Sequence, residues 1–145
     1  MDILEPVRAY EQLIEQFALI QHEELWAIDT ETKSMHQLGV GDHDTVKCDN
    51  YETVEKLTCS SIKRVILFHN HPVPVPCPLP SEPDILFTKC VDNSLRNYSR
   101  NNSPIALVDH LVISIFGVWS IVKNKLLYSP PMEYILSHYK DHYHV

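Results

Sequence analysis

The sequence predicts an α/β (α+β) fold in which helices flank a mixed, largely antiparallel β-sheet. Two kinds of hydrophobic spacing support this prediction. Between residues 6 and 20 the apolar side chains recur every three or four positions, which is typical of an amphipathic helix with a proline at its start. Residues 24–28 and 34–40 instead read as a pair of strands, in which Gly39 and Gly41 mark a bulge or the strand end. Helical and strand-like segments continue to alternate along the rest of the chain.

The remaining elements follow from capping residues and short apolar runs. Asp49 or Asn50 can cap a helix that runs to about Ser60. Residues 63–68 then form an apolar run of strand length. The later predicted elements are a helix from Ser81 to about Ser94 or Asn97, a loop over 97–104, a long strand over 105–116, a turn at Gly117, a return strand over 118–122, and a last helix from about Pro130 to Tyr139.

Composition and charge limit the classes of function. The 145 residues include 12 basic and 19 acidic side chains, and the formal net charge is −7. Direct binding to nucleic acid is disfavoured, because it depends on neutralising phosphates with Lys and Arg. No apolar stretch has the length needed to cross a membrane. The four cysteines contain no C-x-x-C pair and the sequence opens without a signal segment, so we expect a cytoplasmic protein. Its oligomeric state stays open.

One short stretch carries most of the chemical information in the chain. His69 and His71 are two residues apart, so both rings can project from the same face at the end of the strand predicted over 63–68. Asp84 can complete a set of three ligands. Two histidines and one carboxylate are what a catalytic zinc ion uses when its fourth position is kept open for water. The spacing therefore predicts a hydrolytic metal site and not a structural one.

These residues resemble the JAMM (JAB/MPN) metalloprotease-like domain, most closely its RadC-like branch. The resemblance covers most of the chain, because four segments match in the same order. The matching segments are the helix and strand over 51–68, the run His69-Asn70-His71-Pro72, Ser81 and Asp84 with the helix after them, and Asp109-His110 with the alternating apolar residues that follow.

The resemblance implies a zinc-dependent hydrolase that cleaves amide or isopeptide bonds in a protein or peptide substrate, with ubiquitin-like proteins among the candidates. It implies that His69, His71 and Asp84 bind Zn²⁺. Ser81 is then placed to donate a hydrogen bond to the oxyanion that forms during the reaction. From its length we expect one RadC-like domain over residues 1–145, and we expect no counterpart of the helix-hairpin-helix region that is common in this branch.

Two departures from the family pattern bear on activity. The loop between His71 and Ser81 is two residues longer than in the family, and its alternating prolines hold it extended. Hydrolytic members also place a glutamate on an upstream strand as the general base, whereas the matching stretch here, residues 35–39, contains no acid. Glu31 falls in a predicted turn, away from the metal. His36 is an alternative base, because a neutral imidazole has a suitable pKa.

Several alternatives stay open. Without a general base, the domain would be a catalytically impaired MPN-like module that binds a protein partner, and the RadC-like branch also suggests an accessory in DNA repair or mobile-element biology. Ser81 and Asp84 form a capping box whether or not they act in catalysis. His110 either orients a metal ligand or forms a buried core pair with Asp109. Cys77 is an alternative soft ligand.

Overall fold

The computed structural model describes residues 6–41, 49–72, 77–97 and 104–143, and the predicted mixed fold is confirmed. The helices are α1 (Pro6–Phe17), α2 (Asn50–Thr58), α3 (Glu82–Asn97) and α4 (Met132–Tyr143). The strands are β1 (Glu24–Asp29), β2 (Met35–Val40), β3 (Arg64–Asn70), β4 (Ala106–Ser114), β5 (Gly117–Ser120) and β6 (Lys125–Tyr128). Within these ranges no helix combines the length and the apolar character that a membrane span requires.

The six strands form one sheet in the order β2-β1-β3-β4-β5-β6. Neighbouring strands are antiparallel except β3 and β4, which run parallel. A parallel pair needs a long crossover connection, and α3 lies in the segment that joins β3 to β4. The sheet is therefore largely antiparallel, as predicted, and β3 is one of its two central strands.

Both faces of the sheet are covered, which explains the uninterrupted apolar run in β3. Leu67 packs in a core that includes residues of α3, whereas Phe68 packs in a second core with residues of α1. Neither side chain is exposed to solvent. Because successive side chains of a strand point to opposite faces, His69 lies on the α3 face and Asn70 on the α1 face.

Two local predictions are confirmed. Asp49 is the N-cap of α2, and its carboxylate accepts a hydrogen bond of 2.8 Å from the backbone N–H of Glu52. The pairing of β1 with β2 shifts register beside Gly39, which faces Leu25. This shift is the irregularity expected from a glycine in a strand.

Several boundaries differ from the prediction. β3 extends through Asn70, so His69 lies inside the strand. β5 ends at Ser120 and is followed by β6, which was not predicted because its four residues show no apolar alternation and lie at the sheet edge. α4 begins at Met132 and continues to Tyr143, beyond the predicted end at Tyr139. Most of the loop predicted over 97–104 lies outside the described residues.

Gly117 provides a test of how β5 meets β6. Its φ angle is 149°, and a Cβ atom at this position would lie 2.2 Å from the backbone oxygen of Tyr128. We expect Gly117→Ala to lower the free energy of unfolding by about 2 to 4 kcal/mol, because backbone strain and a main-chain clash act together. Urea unfolding measures the loss. Lys125→Ala, at an exposed position of β6, is the control and should change stability by less than about 0.5 kcal/mol. Equal stability of both variants would contradict the prediction.

Candidate metal centre

The three predicted ligands lie together where β3 ends and α3 begins. His69 is the second-last residue of β3, and His71 follows the strand with its backbone N–H donating to the Ile113 carbonyl over 2.8 Å. Asp84 lies in the first turn of α3. The Nε2 atoms of His69 and His71 are 3.1 Å apart, and each lies 3.2 Å from Oδ2 of Asp84. Among the described residues this is the one group of three or more His, Cys, Asp or Glu side chains placed to hold a metal ion.

The geometry and chemistry of this triangle fit a zinc ion. Zinc bonds of about 2.0–2.1 Å in a tetrahedral site hold the ligand atoms about 3.3 Å apart, close to the measured edges of the triangle. Two imidazole nitrogens and one carboxylate oxygen leave the fourth position for water or substrate. His69 and His71 are both buried, so bulk water competes little for their nitrogens. That these residues bind zinc stays a prediction.

His71 is oriented by a backbone carbonyl. Its Nδ1 donates to the carbonyl oxygen of Cys77 over 2.7 Å, which leaves Nε2 to face Asp84. Metal-bound histidines usually use their second nitrogen in this way. The thiol of Cys77 points elsewhere and donates to the carbonyl of Leu79 over 3.5 Å. The alternative of Cys77 as a soft ligand therefore gains no support.

Asp84 is held by the capping box at the start of α3. The backbone N–H of Ser81 donates to Oδ2 of Asp84 over 2.9 Å, and the backbone N–H of Asp84 donates to Oγ of Ser81 over 3.1 Å. The structural role expected for these two residues is thus confirmed. An accepted hydrogen bond leaves the Ser81 hydroxyl with its own hydrogen to donate. Its role at an oxyanion stays a prediction.

His110 contacts the back of the site. Its Nε2 lies 2.8 Å from Nδ1 of His69, and its Nδ1 lies 2.6 Å from Oγ1 of Thr88. Asp109 does not pair with this ring, since its carboxylate accepts from Ser120 and from the His110 backbone N–H, each over 2.8 Å. Of the two roles left open for His110, the structure favours orienting a metal ligand.

Burial and hydrogen bonding shift the pKa values of the site in opposite directions. Burial favours the neutral form of Asp84, but the close contacts with the rings of His69 and His71 outweigh it and hold the pKa of this carboxyl well below its ordinary value. Burial opposes charge on His71 as well, yet the hydrogen bond to Asp84 raises the pKa of this imidazole. Burial, with a smaller effect of His69, lowers the pKa of His110 far below its ordinary value. His110 is therefore neutral at pH 7.

A buried carboxylate that the sequence analysis did not single out, that of Glu23, lies beside the site. Leu25 of β1 pairs with His69 of the antiparallel strand β3, and Glu23, two residues before Leu25, lies close enough to His71 for its charge to act on that imidazole. Glu23 is 7% exposed, and its charge contributes to the raised pKa of His71. A buried acid next to a metal ligand is the kind of group that serves as a general base.

The stretch that matches the family's acid-bearing strand, residues 35–39, lies in β2, which is not adjacent to β3. β1 separates β2 from β3, and Met35, His36 and Gln37 of β2 are exposed. The ring of His36 contacts the Ser34 hydroxyl over 3.0 Å, away from the site, so its proposed role as base is not supported. Glu31 lies in the predicted turn. In the sequence, Glu23, Leu25 and Ala27 alternate and so share one face of a strand. Only the pairing of β1 with β3 shows that this strand lies next to the one that carries His69.

Fold and site together define an α/β domain that carries a candidate metal centre of two histidines and one carboxylate at the end of a central strand. The family model described as the RadC-like JAB domain matches residues 3–126. The chain belongs to this family. A search of curated proteins found no match.

Proposed function

We propose that the protein is a zinc-dependent hydrolase of JAMM type that cleaves amide or isopeptide bonds in a protein or peptide substrate. The observation that carries the proposal is the triangle of donor atoms from His69, His71 and Asp84, with edges of 3.1 to 3.2 Å. The buried carboxylate of Glu23 beside this triangle supports hydrolysis over simple metal binding. Ubiquitin-like proteins are candidate substrates through the family relationship.

A bound zinc ion would supply a water molecule of lowered pKa and would polarise the scissile carbonyl. The residues of the chain supply the remaining chemistry. Glu23 accepts the proton of the attacking water and passes it to the leaving amine nitrogen, so that hydrolysis yields a carboxylic acid and an amine. The Ser81 hydroxyl donates to the developing oxyanion. One such donor contributes about 3 kcal/mol to transition-state stabilisation, so Ser81 should affect turnover more than metal binding.

The proposal places the protein in the cytoplasm. The described cysteines Cys59, Cys77 and Cys90 are free thiols, which suits a reducing compartment. Direct DNA binding is not proposed, because the net charge of −7 opposes it. An accessory role in DNA repair would then act through a protein partner.

Zinc content and hydrolysis test the proposal together. We expect one zinc ion per chain in protein purified without a tag, and loss of both zinc and turnover in His69→Ala and Asp84→Asn, because each change removes one of three ligands. The assay uses peptide and ubiquitin-like isopeptide substrates. His36→Ala, an exposed histidine outside the site, is the matched control and should retain zinc and activity.

Two outcomes would contradict the proposal. Full zinc occupancy in both His69→Ala and Asp84→Asn would show that zinc binds at another site. Zinc at one per chain without turnover on any amide would favour the alternative of a protein-binding MPN-like module.

A further inference from the structure

We propose that Thr88 and His110 form a buried hydrogen-bond relay that fixes the tautomer of His69, so that Nε2 of His69 carries a lone pair for the metal. The proposal rests on the proposed metal site and assigns positioning roles to two residues that do not contact the ion. The relay connects two ligands, since it begins at the backbone carbonyl of Asp84 and ends at the ring of His69.

The direction of the relay follows from its first contact. Oγ1 of Thr88 lies 2.7 Å from the carbonyl oxygen of Asp84. A carbonyl only accepts, so the single hydrogen of the hydroxyl points to Asp84. At the next contact, 2.6 Å away, the same Oγ1 must then accept, and Nδ1 of His110 is the donor.

The second contact determines the state of His69. A neutral imidazole carries one hydrogen, and with this hydrogen on Nδ1 the Nε2 of His110 is an acceptor. Nδ1 of His69, which lies 2.8 Å away, therefore donates to it. The same rule then leaves Nε2 of His69 without hydrogen, in the form that binds a metal.

The opposite direction is excluded by the same distances. If Thr88 donated to His110, two acceptor oxygens would lie 2.7 Å apart with no hydrogen between them. His110 would then donate to Nδ1 of His69, and the hydrogen of His69 would occupy the nitrogen that faces His71 and Asp84.

Burial makes the relay hard to replace. His69, Thr88 and His110 are at most 4% exposed. The ring of Phe87 packs against His110 with 6.0 Å between ring centres. Water has little access to replace a missing Thr88 hydroxyl. A metal-bound histidine usually donates its second N–H to a carbonyl or carboxylate, which accept in any state. Here the acceptor is the imidazole of His110, which can accept at Nε2 only when its own hydrogen is on Nδ1. The tautomer of His69 therefore depends on the hydrogen bond between His110 and Thr88.

The test is Thr88→Val, which removes the hydroxyl while preserving shape, compared with Thr88→Ser, which keeps it. We expect the valine variant to bind Zn²⁺ about 10 to 100 times more weakly than wild type, and the serine variant to bind within about threefold. Competition with a chromophoric chelator measures the affinities. Thr53→Val is the matched control, because Thr53 is also buried and also donates to the carbonyl of the residue four positions earlier, Asp49, yet lies on α2. It should leave zinc affinity unchanged.

A second readout needs no metal and no activity. Nitrogen-15 chemical shifts of the His69 ring in the metal-free wild-type protein should show hydrogen on Nδ1, and Thr88→Val should shift the population toward hydrogen on Nε2. Hydrogen on Nε2 in the wild type would overturn the relay even if the valine variant fails to fold. Unchanged zinc affinity in folded Thr88→Val would also overturn it, while leaving the metal site intact. Absence of zinc binding in the wild type would instead refute the proposed function.

Discussion

Glu23→Gln is expected to lower turnover by about 10² to 10⁴, the usual effect of losing a general base, while zinc stays bound. Glutamine has nearly the same shape and can occupy the same buried position, but it cannot accept a proton at neutral pH. The three candidate ligands are untouched. The negative charge of Glu23 helps to raise the pKa of His71, so removing the charge lowers that pKa and reduces competition between protons and zinc.

The comparison with Glu24→Gln makes this prediction specific. Glu24 is the next residue, is also nearly buried, and accepts from the Trp26 indole over 2.8 Å and from the Gln37 amide over 3.2 Å. Because side chains alternate along β1, it faces away from the histidines. We expect Glu24→Gln to keep both zinc and turnover. Initial rates and zinc content measured on both variants check the prediction. Normal turnover in Glu23→Gln would show that another residue is the base. Loss of zinc would show that Glu23 belongs to the metal centre.

The candidate ligands could be predicted because their arrangement is local. His69 lies near the end of β3 and His71 directly follows that strand, and Asp84 follows a capping serine at the start of a helix. Glu23 could not be found in the same way. Its position depends on the pairing of β1 with β3, which brings together residues as far apart in the chain as Glu24 and Asn70, 46 positions from each other. Register between distant strands is decided by packing on both faces of the sheet, and the sequence does not reveal it.

The same reason limited the prediction for His110. The motif with Asp109 drew attention to it, but its contact with His69 spans 41 positions and crosses from β4 to β3. Asp109 and His110 are adjacent in the sequence, but as consecutive residues of β4 their side chains point to opposite faces of the sheet. β6 was missed for a different reason, because an edge strand of four exposed or half-buried residues carries no alternation to detect.

Asn70→Ala is expected to lower the free energy of unfolding by about 3 to 5 kcal/mol, a large part of the 5–15 kcal/mol typical of folded domains. Asn70 lies between the two histidines but on the α1 face, and is 1% exposed. Its Oδ1 accepts from the backbone N–H of Glu24 over 2.7 Å. Its Nδ2 donates to the carbonyls of Phe17 and His22, over 3.1 and 2.9 Å. Alanine leaves all three main-chain groups without this partner in a buried region, where each loss costs about 1–3 kcal/mol.

Asn70→Asp separates these hydrogen bonds from simple loss of volume. The carboxylate can still accept from Glu24, but it sets a charged acceptor against the carbonyls of Phe17 and His22, so we expect a loss at least as large at pH 7. Chemical denaturation of the metal-free protein measures both variants. Asn93→Ala, at an exposed position of α3, is the control and should change stability by less than about 0.5 kcal/mol.

The hydrogen bonds of Asn70 also affect the candidate site. Two of its hydrogen bonds go to His22 and Glu24, the residues on either side of Glu23. The Asn70 side chain, which lies on the opposite face of the sheet from His69, holds the segment between α1 and β1 and therefore also sets the position of the proposed base Glu23. A folded Asn70 variant that binds zinc should accordingly lose turnover, and its stability should fall together with its activity. Stability within about 1 kcal/mol of wild type in Asn70→Ala would show that α1 and β1 are held by their apolar contacts alone.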